Sequence, residues 1–197
     1  MTAAVLAGVD LLHTDERHAD AALTRLRALL PPDADADCLL ATHWAQADDR
    51  PHVALSVEVT GLEPEQLWDL LLGLEPGGGH GVCLGDRTAG PPSLVAAARS
   101  AREAAAARRS GRVVHFPGAG ALRGSLPVAE VLERSAVDAV RVLAAGPADP
   151  AAVLTTREHV RPTWSDGALV LLVQPAVGGT LVPFEPPDPT PCCADHG

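Results

Sequence analysis

Residues 52–60 read HVALSVEVT, and this stretch decides the predicted fold. Large apolar side chains alternate with small or polar ones, which is the period of a β-strand with one buried face. The buried face would carry Val53, Leu55, Val57 and Val59. A turn at residues 47–51 (ADDRP) would join this strand to residues 37–46 in a hairpin that places residue 45 near residue 52. In that register His43 and His52 are diagonal neighbours, either as sheet-surface residues or as two ligands of one metal ion.

Two amphipathic segments surround this hairpin in the sequence. Residues 18–30 carry apolar residues at helical spacing and end at Pro31, and residues 63–74 place Pro64 in a first helical turn. With strands at residues 5–12 and 80–85, the order is βαββαβ. We therefore predict an α+β protein whose residues 1–90 form a ferredoxin-like unit.

The remainder of the chain divides into two predicted parts. Residues 91–184 would form a long Ala-rich helix (93–110) and a small mixed β region that includes a strand over 153–160. Residues 185–197 (EPPDPTPCCADHG) are rich in proline, which favours an extended tail over a packed element.

Four residue types are missing altogether. The chain has no Lys, Ile, Asn or Tyr, and all 15 basic residues are Arg, a bias that a GC-rich coding sequence explains. Without lysine there is neither an internal Schiff base for pyridoxal phosphate nor a Walker-type nucleotide site. Without tyrosine there is no phenolic acid.

The formal net charge of −10 argues against sequence-independent binding of nucleic acid or of an anionic membrane. The first twelve residues lack a basic region, and no run reaches 18 apolar residues, so we expect a cytoplasmic protein. The expected partners are a small molecule or another protein. A homodimer would use the face of the sheet that carries His52, Ala54 and Ser56.

The densest cluster of reactive side chains is the tail motif formed by Cys192, Cys193 and His196. Thiolate and imidazole are preferred ligands of Zn(II) and Cu(I), so the motif would hold a soft metal or act as a thiol site. Two adjacent cysteines with one histidine do not complete a structural zinc site. A fourth ligand would have to come from the rest of the chain, and incidental cysteines in a disordered tail are the competing interpretation.

A second candidate site groups cations on the β region. If residues 153–161 were extended, Arg157, His159 and Arg161 would share one face and could clamp a carboxylate or phosphate. With His115 they would form a catalytic pocket between the two regions. The competing interpretation is a solvated face paired with acidic residues.

The loop 117–124 (PGAGALRG) weakly resembles a phosphate cradle, in which Gly118 and Gly120 would let the backbone approach an anion and Arg123 would assist. An ordinary tight loop is the simpler interpretation.

The tryptophans of the first half, Trp44 and Trp68, are interpreted as packing residues and not as a stacking platform.

Three functions remain open from the sequence. The first is a cytoplasmic accessory or binding protein with a Zn or Cu site in the tail. The second is a small-molecule enzyme that uses the His/Arg pocket. The third is a dimerising interaction protein, or a carrier whose C-terminal cysteine is modified.

Overall fold

The computed structural model describes residues 3–31, 38–47, 50–74 and 79–187. Within these ranges the chain forms four helices and thirteen strands. The helices are α1 (Glu16–Leu29), α2 (Pro64–Leu72), α3 (Pro92–Ala106) and α4 (Val128–Arg134). The strands are β1 (Val5–His13), β2 (Cys38–Ala47), β3 (Arg50–Val59), β4 (Gly81–Leu84), β5 (Arg87–Ala89), β6 (Arg112–His115), β7 (Ser125–Pro127), β8 (Ala139–Val142), β9 (Gly146–Pro147), β10 (Val153–Thr155), β11 (Thr163–Ser165), β12 (Ala168–Pro175) and β13 (Leu181–Pro183).

All thirteen strands belong to one mixed sheet. Eleven follow the order β5-β4-β1-β3-β2-β6-β11-β12-β13-β10-β7, while β8 pairs with β12 and β9 pairs with β8. The hairpin of β2 and β3 is its longest ladder, and it pairs Ala45 with His52 as the sequence predicts. Most of the later strands have only two to four residues, so side-chain alternation hardly marks them.

The prediction of a small ferredoxin-like unit followed by a long helix is wrong. The first four strands do not form a separate sheet, because β5 pairs with β4 at one end and β6 pairs with β2 at the other. Helix α3 does not stand apart either, since it packs against β1, β2, β3 and β4. The architecture is a large strand-rich sheet with helices on its faces.

Helices α1 and α2 cover the face of the sheet that the alternation predicts to be buried. Asp15 is the N-cap of α1, and its side chain accepts a hydrogen bond from the backbone N–H of His18 at 2.9 Å. Leucines of both helices pack with the valines of β3 in one core, in which Leu23, Leu55 and Leu67 are fully buried. Trp68 belongs to this core, as the sequence indicates.

Helix α3 covers the opposite face, which the sequence predicts to face solvent or a dimer partner. Its inner side is almost entirely alanine, and Ala97 and Ala101 pack on Ala54 of β3. The approach is so close that a Cβ at Gly8 would lie 1.8 Å from the carbonyl oxygen of Ala98. The expected half-buried strand is therefore wrong, because β3 is buried on both faces and the expected dimer surface is covered.

A second core lies under the other half of the sheet. It joins α4 to the later strands, with Val131, Leu154, Leu169 and Val173 among its buried members. The β2–β6 and β6–β11 ladders connect the two halves. None of the four helices in the described ranges has the length and apolar character that a bilayer crossing requires.

Candidate functional site

A cavity opens where strand β2 runs past the end of β6. These two strands pair only from Leu40 to Thr42, so the rest of β2, from His43 onward, projects beyond β6. Helix α3, residues 110–112 and β11 form the other walls. The cavity measures about 490 Å³. We call it the Trp cleft, and it is lined by Glu16, Thr42, His43, Trp44, Ala45, Ser100, Ala101, Ala104, Ser110, Gly111, Arg112, Thr163 and Trp164.

Two indole rings line the Trp cleft from different strands. Trp44 on β2 is 63% exposed, and its Nε1 donates a hydrogen bond to Glu16 at 3.2 Å. Trp164 on β11 is partly buried, with the guanidinium carbon of Arg108 lying 4.4 Å from its ring centroid. Such rings provide large apolar contact area with a polar end. The interpretation of Trp44 as a packing residue missed this role.

A buried, neutral imidazole forms part of the wall. Nε2 of His43 lies 2.8 Å from Oγ of Ser56. Burial lowers the pKa of His43 to about 4, so the ring is uncharged near neutral pH. Its Nδ1 is buried and has no hydrogen-bond partner among the described residues. Gly111 packs against the ring, where a Cβ would lie 2.4 Å from Cε1 of His43.

His43 and Ser56 are close enough to act as a general base and its nucleophile, but Ser56 is not accessible to a ligand. Ser56 is 2% exposed and does not line the Trp cleft, so its hydroxyl is not presented to a ligand there. His52 lies on the same face but contacts Asp10, with Nε2 and Oδ2 2.6 Å apart. The two histidines therefore serve different partners and do not form the metal site that their spacing allowed.

A smaller cavity of about 310 Å³ adjoins the Trp cleft, and Glu16 and Arg112 line both. Arg112 lies at its centre and holds two carboxylates. Its Nη1 and Nη2 donate to Asp20 at 2.6 and 3.0 Å, and its Nε donates to Glu185 at 2.7 Å. We call this cavity the Arg112 pocket, and it is lined by Glu16, Arg17, Asp20, Arg112, His159, Arg161, Glu185, Pro186 and Pro187.

The electrostatics of the Arg112 pocket favour ionised groups. Burial opposes ionisation of Glu185, but hydrogen bonds from Arg112 and His159 outweigh it and lower the pKa of Glu185 to about 2. Burial also opposes the charge of Arg112, and the carboxylates of Glu185 and Asp20 overcome it and raise the pKa of Arg112. The network links α1, β6 and the segment that follows β13.

Only two of the four predicted catalytic residues come together. His159 contacts Glu185 with its Nε2 at 3.0 Å, and Arg161 donates from Nε to Asp20 at 3.2 Å. Arg157 is exposed and lines neither cavity. His115 lies at the end of β6 against α1, with Nε2 3.3 Å from the hydroxyl of Thr24, and it lines neither cavity as well.

The predicted alternation over residues 153–161 is wrong. Strand β10 ends at Thr155, and both Arg157 and Glu158 adopt left-handed backbone conformations with φ of 54°. The chain therefore turns after β10, and Arg157 does not share a strand face with His159.

The glycine-rich loop makes a short 3₁₀ turn over residues 119–121. Gly118 has a φ of 81°, and a Cβ there would lie 2.0 Å from the carbonyl oxygen of Arg134. Arg123 donates from Nε to the carbonyl of Gly120 at 3.1 Å, so this donor serves the loop itself. These contacts explain the glycine at 118 as a tight-packing residue.

The predicted metal ligands Cys192, Cys193 and His196 lie outside the described residues, so the soft-metal or thiol site stays a prediction. Across the described ranges, no group of three or more His, Cys, Asp or Glu side chains is arranged to hold a metal ion.

No protein-family model, curated protein or solved structure matches this chain.

Proposed function

We propose that this protein binds a small organic molecule with a flat ring system in the Trp cleft. The observation that carries the proposal is the convergence of Trp44, Trp164 and the uncharged ring of His43 on one cavity of about 490 Å³. Cavities of this volume that combine apolar and aromatic walls with a few polar groups are typical of small-molecule sites.

The lining indicates the chemistry of the ligand. The indoles offer ring surfaces for stacking, and the neutral imidazole leaves its part of the wall without charge. Serine and threonine side chains supply hydrogen-bonding groups, and Glu16 and Arg112 place charge at the end that adjoins the Arg112 pocket. A heteroaromatic compound with a polar substituent matches this distribution.

Binding is favoured over catalysis because the hydroxyl nearest to the buried base belongs to Ser56, which does not line the cleft. The proposal retains the binding-protein hypothesis from the sequence and places the site in the folded body of the chain.

Saturation-transfer NMR with a panel of heteroaromatic fragments, including indole, purine and benzimidazole, tests the proposal. Ala104 lines the cleft on α3, whereas Ala106 is exposed on the same helix and does not line it. We expect fragments to bind wild type and Ala106→Phe, and to lose binding to Ala104→Phe because the new ring fills the cleft.

The variant Trp44→Ala should bind the same fragments with about tenfold lower affinity, since it removes one stacking surface. Truncation of the exposed Val177, outside the cleft, provides the matched control. The absence of any binding fragment, or equal binding to both phenylalanine variants, would contradict the proposal.

A further inference from the structure

In the Arg112 pocket, the guanidinium group of Arg112 is hydrogen-bonded to two carboxylates that come from different parts of the chain. Asp20 lies in the second turn of α1, whereas Glu185 follows β13 by two residues. Phe184 still donates its backbone N–H to the carbonyl of Leu172 at 3.0 Å. After Phe184, the side chain of Glu185 makes the next contacts, with Arg112 on β6 and with His159.

The contact between Arg112 and Glu185 has the geometry of a ligand site. Nε and Nη2 donate side by side to the two oxygens of one carboxylate, which is the bidentate arrangement that recognises planar oxyanions. Nε2 of His159 reaches the same carboxylate at 3.0 Å. Three donors from β6 and from the loop before β11 thus converge on one carboxylate.

The charges of the pocket balance only while this carboxylate is in place. Three guanidinium groups line the cavity (Arg17, Arg112 and Arg161), together with three carboxylates (Glu16, Asp20 and Glu185). Arg17 is exposed, and its side chain forms no ion pair with a described residue. Withdrawal of Glu185 would leave one uncompensated positive charge beside His159, and a second carboxylate would restore the balance.

We propose that the Arg112 pocket is a binding site for the carboxylate of a small organic acid, and that Glu185 occupies it as an internal ligand. The side chain of Glu185 and an external carboxylate compete for the donors of Arg112 and His159. Binding of the acid displaces the side chain of Glu185 from Arg112 and His159. This inference stands on the Arg112 pocket alone and does not depend on the function proposed for the Trp cleft.

Titration with acetate tests the competition, with the imidazole ¹H resonances of His159 as the readout and a His159→Gln variant for their assignment. Ionic strength is held constant with chloride, since salt screens such contacts. We expect Glu185→Gln to bind acetate about tenfold more tightly than wild type, because the internal competitor has lost its charge. Glu130→Gln is the matched control, because Glu130 pairs with Arg134 on α4 outside the pocket and its loss removes an equal charge.

Two further variants keep the test decisive if Glu185→Gln folds poorly. Glu185→Asp retains the charge on a shorter side chain and should show an intermediate affinity for acetate. Arg17→Gln, on the exposed rim, should weaken acetate binding severalfold without unfolding the protein.

Inorganic phosphate, titrated in parallel, distinguishes a planar carboxylate from a tetrahedral oxyanion. Acetate affinity that is the same in Glu185→Gln, Glu130→Gln and wild type would overturn the competition. Tighter binding of phosphate than of acetate to Glu185→Gln would overturn the assignment to a carboxylate.

Discussion

Oδ2 of Asp10 lies 2.6 Å from Nε2 of His52 beneath helix α3, and neither side chain is more than 3% exposed. Asp10 belongs to β1 and His52 to β3, so the contact joins two neighbouring strands. Oδ1 of Asp10 also accepts the backbone N–H of Leu12 at 2.9 Å. Both carboxylate oxygens of Asp10 therefore have partners beneath the alanine helix.

Replacement of Asp10 by alanine should therefore be strongly destabilising. We expect Asp10→Ala to lower the free energy of unfolding by about 3 kcal/mol, because it removes one partner of a buried pair. Asp10→Asn, which keeps the shape and part of the hydrogen bonding, should cost less. Urea denaturation measures both, with the exposed Asp86→Ala as control. Equal stability of Asp10→Ala and Asp86→Ala would show that the buried pair contributes nothing.

The close contact between β1 and α3 predicts a large effect from a single methyl group. Gly8→Ala would bring a Cβ to 1.8 Å from the carbonyl oxygen of Ala98, so the helix must move or the variant must unfold. We expect a loss of about 3 kcal/mol, as for other overpacked interiors. Gly120→Ala meets no atom within 4 Å and should change stability little. Thermal unfolding of both variants gives the comparison, and similar melting temperatures would refute the packing argument.

Stability should fall between pH 6.5 and pH 4 because of His43. Its folded pKa of about 4 lies below the usual histidine value of 6.5, so the unfolded chain takes up the proton first as the pH decreases. The contribution of the neutral ring to the free energy of unfolding is fully present above pH 6.5. We expect this free energy to fall by about 2 kcal/mol between pH 7.5 and pH 5. Urea denaturation of wild type and His43→Gln at both pH values measures the share of the pH dependence that is due to His43. An identical pH dependence in the two proteins would contradict it.

Glu185 should produce a separate loss of stability in a more acidic range. Its folded pKa of about 2 lies below the usual glutamate value of 4.5, so the folded state keeps the carboxylate charged when the unfolded chain is already protonated. The contribution is present above pH 4.5 and disappears as the pH falls towards 2. Melting temperatures of wild type should therefore drop between pH 5 and pH 3 by more than those of Glu185→Gln. The opposite order would show that the contact with Arg112 does not stabilise the fold.

The sequence predicted local structure better than the assembly of the sheet. Alternation and the turn at residues 47–51 correctly predicted the register of Ala45 with His52. The same alternation misled where His52 and Ser56 were assigned to a solvent face. These side chains are buried because α3 covers this face, and His43 and Asp10 contact them from the neighbouring strands. A polar side chain that is satisfied across strands is indistinguishable, in one sequence, from a solvated one.

The candidate sites depended on conformations that residue types do not reveal. Arg157 and Glu158 are left-handed although neither is glycine or asparagine, so nothing in their identity predicted the turn that separates Arg157 from His159. The Trp cleft was missed because it depends on β2 extending beyond the end of β6, and the residues that pair between these strands are 70 or more positions apart in the sequence. The neighbouring pair of His43 and Trp44 was the one local indication of it.

Because α3 packs so closely on the sheet, its alanines fall into two groups, one buried against the strands and one exposed. Ala97, Ala98, Ala101 and Ala105 are buried against the strands, whereas Ala96 and Ala106 are exposed on the same helix. Mutational drift can exchange the exposed pair for almost any helix-forming residue, but purifying selection must hold the buried four to the smallest side chains. In a lineage whose genome shifted towards AT, the outer alanines would be replaced first and the inner ones would persist.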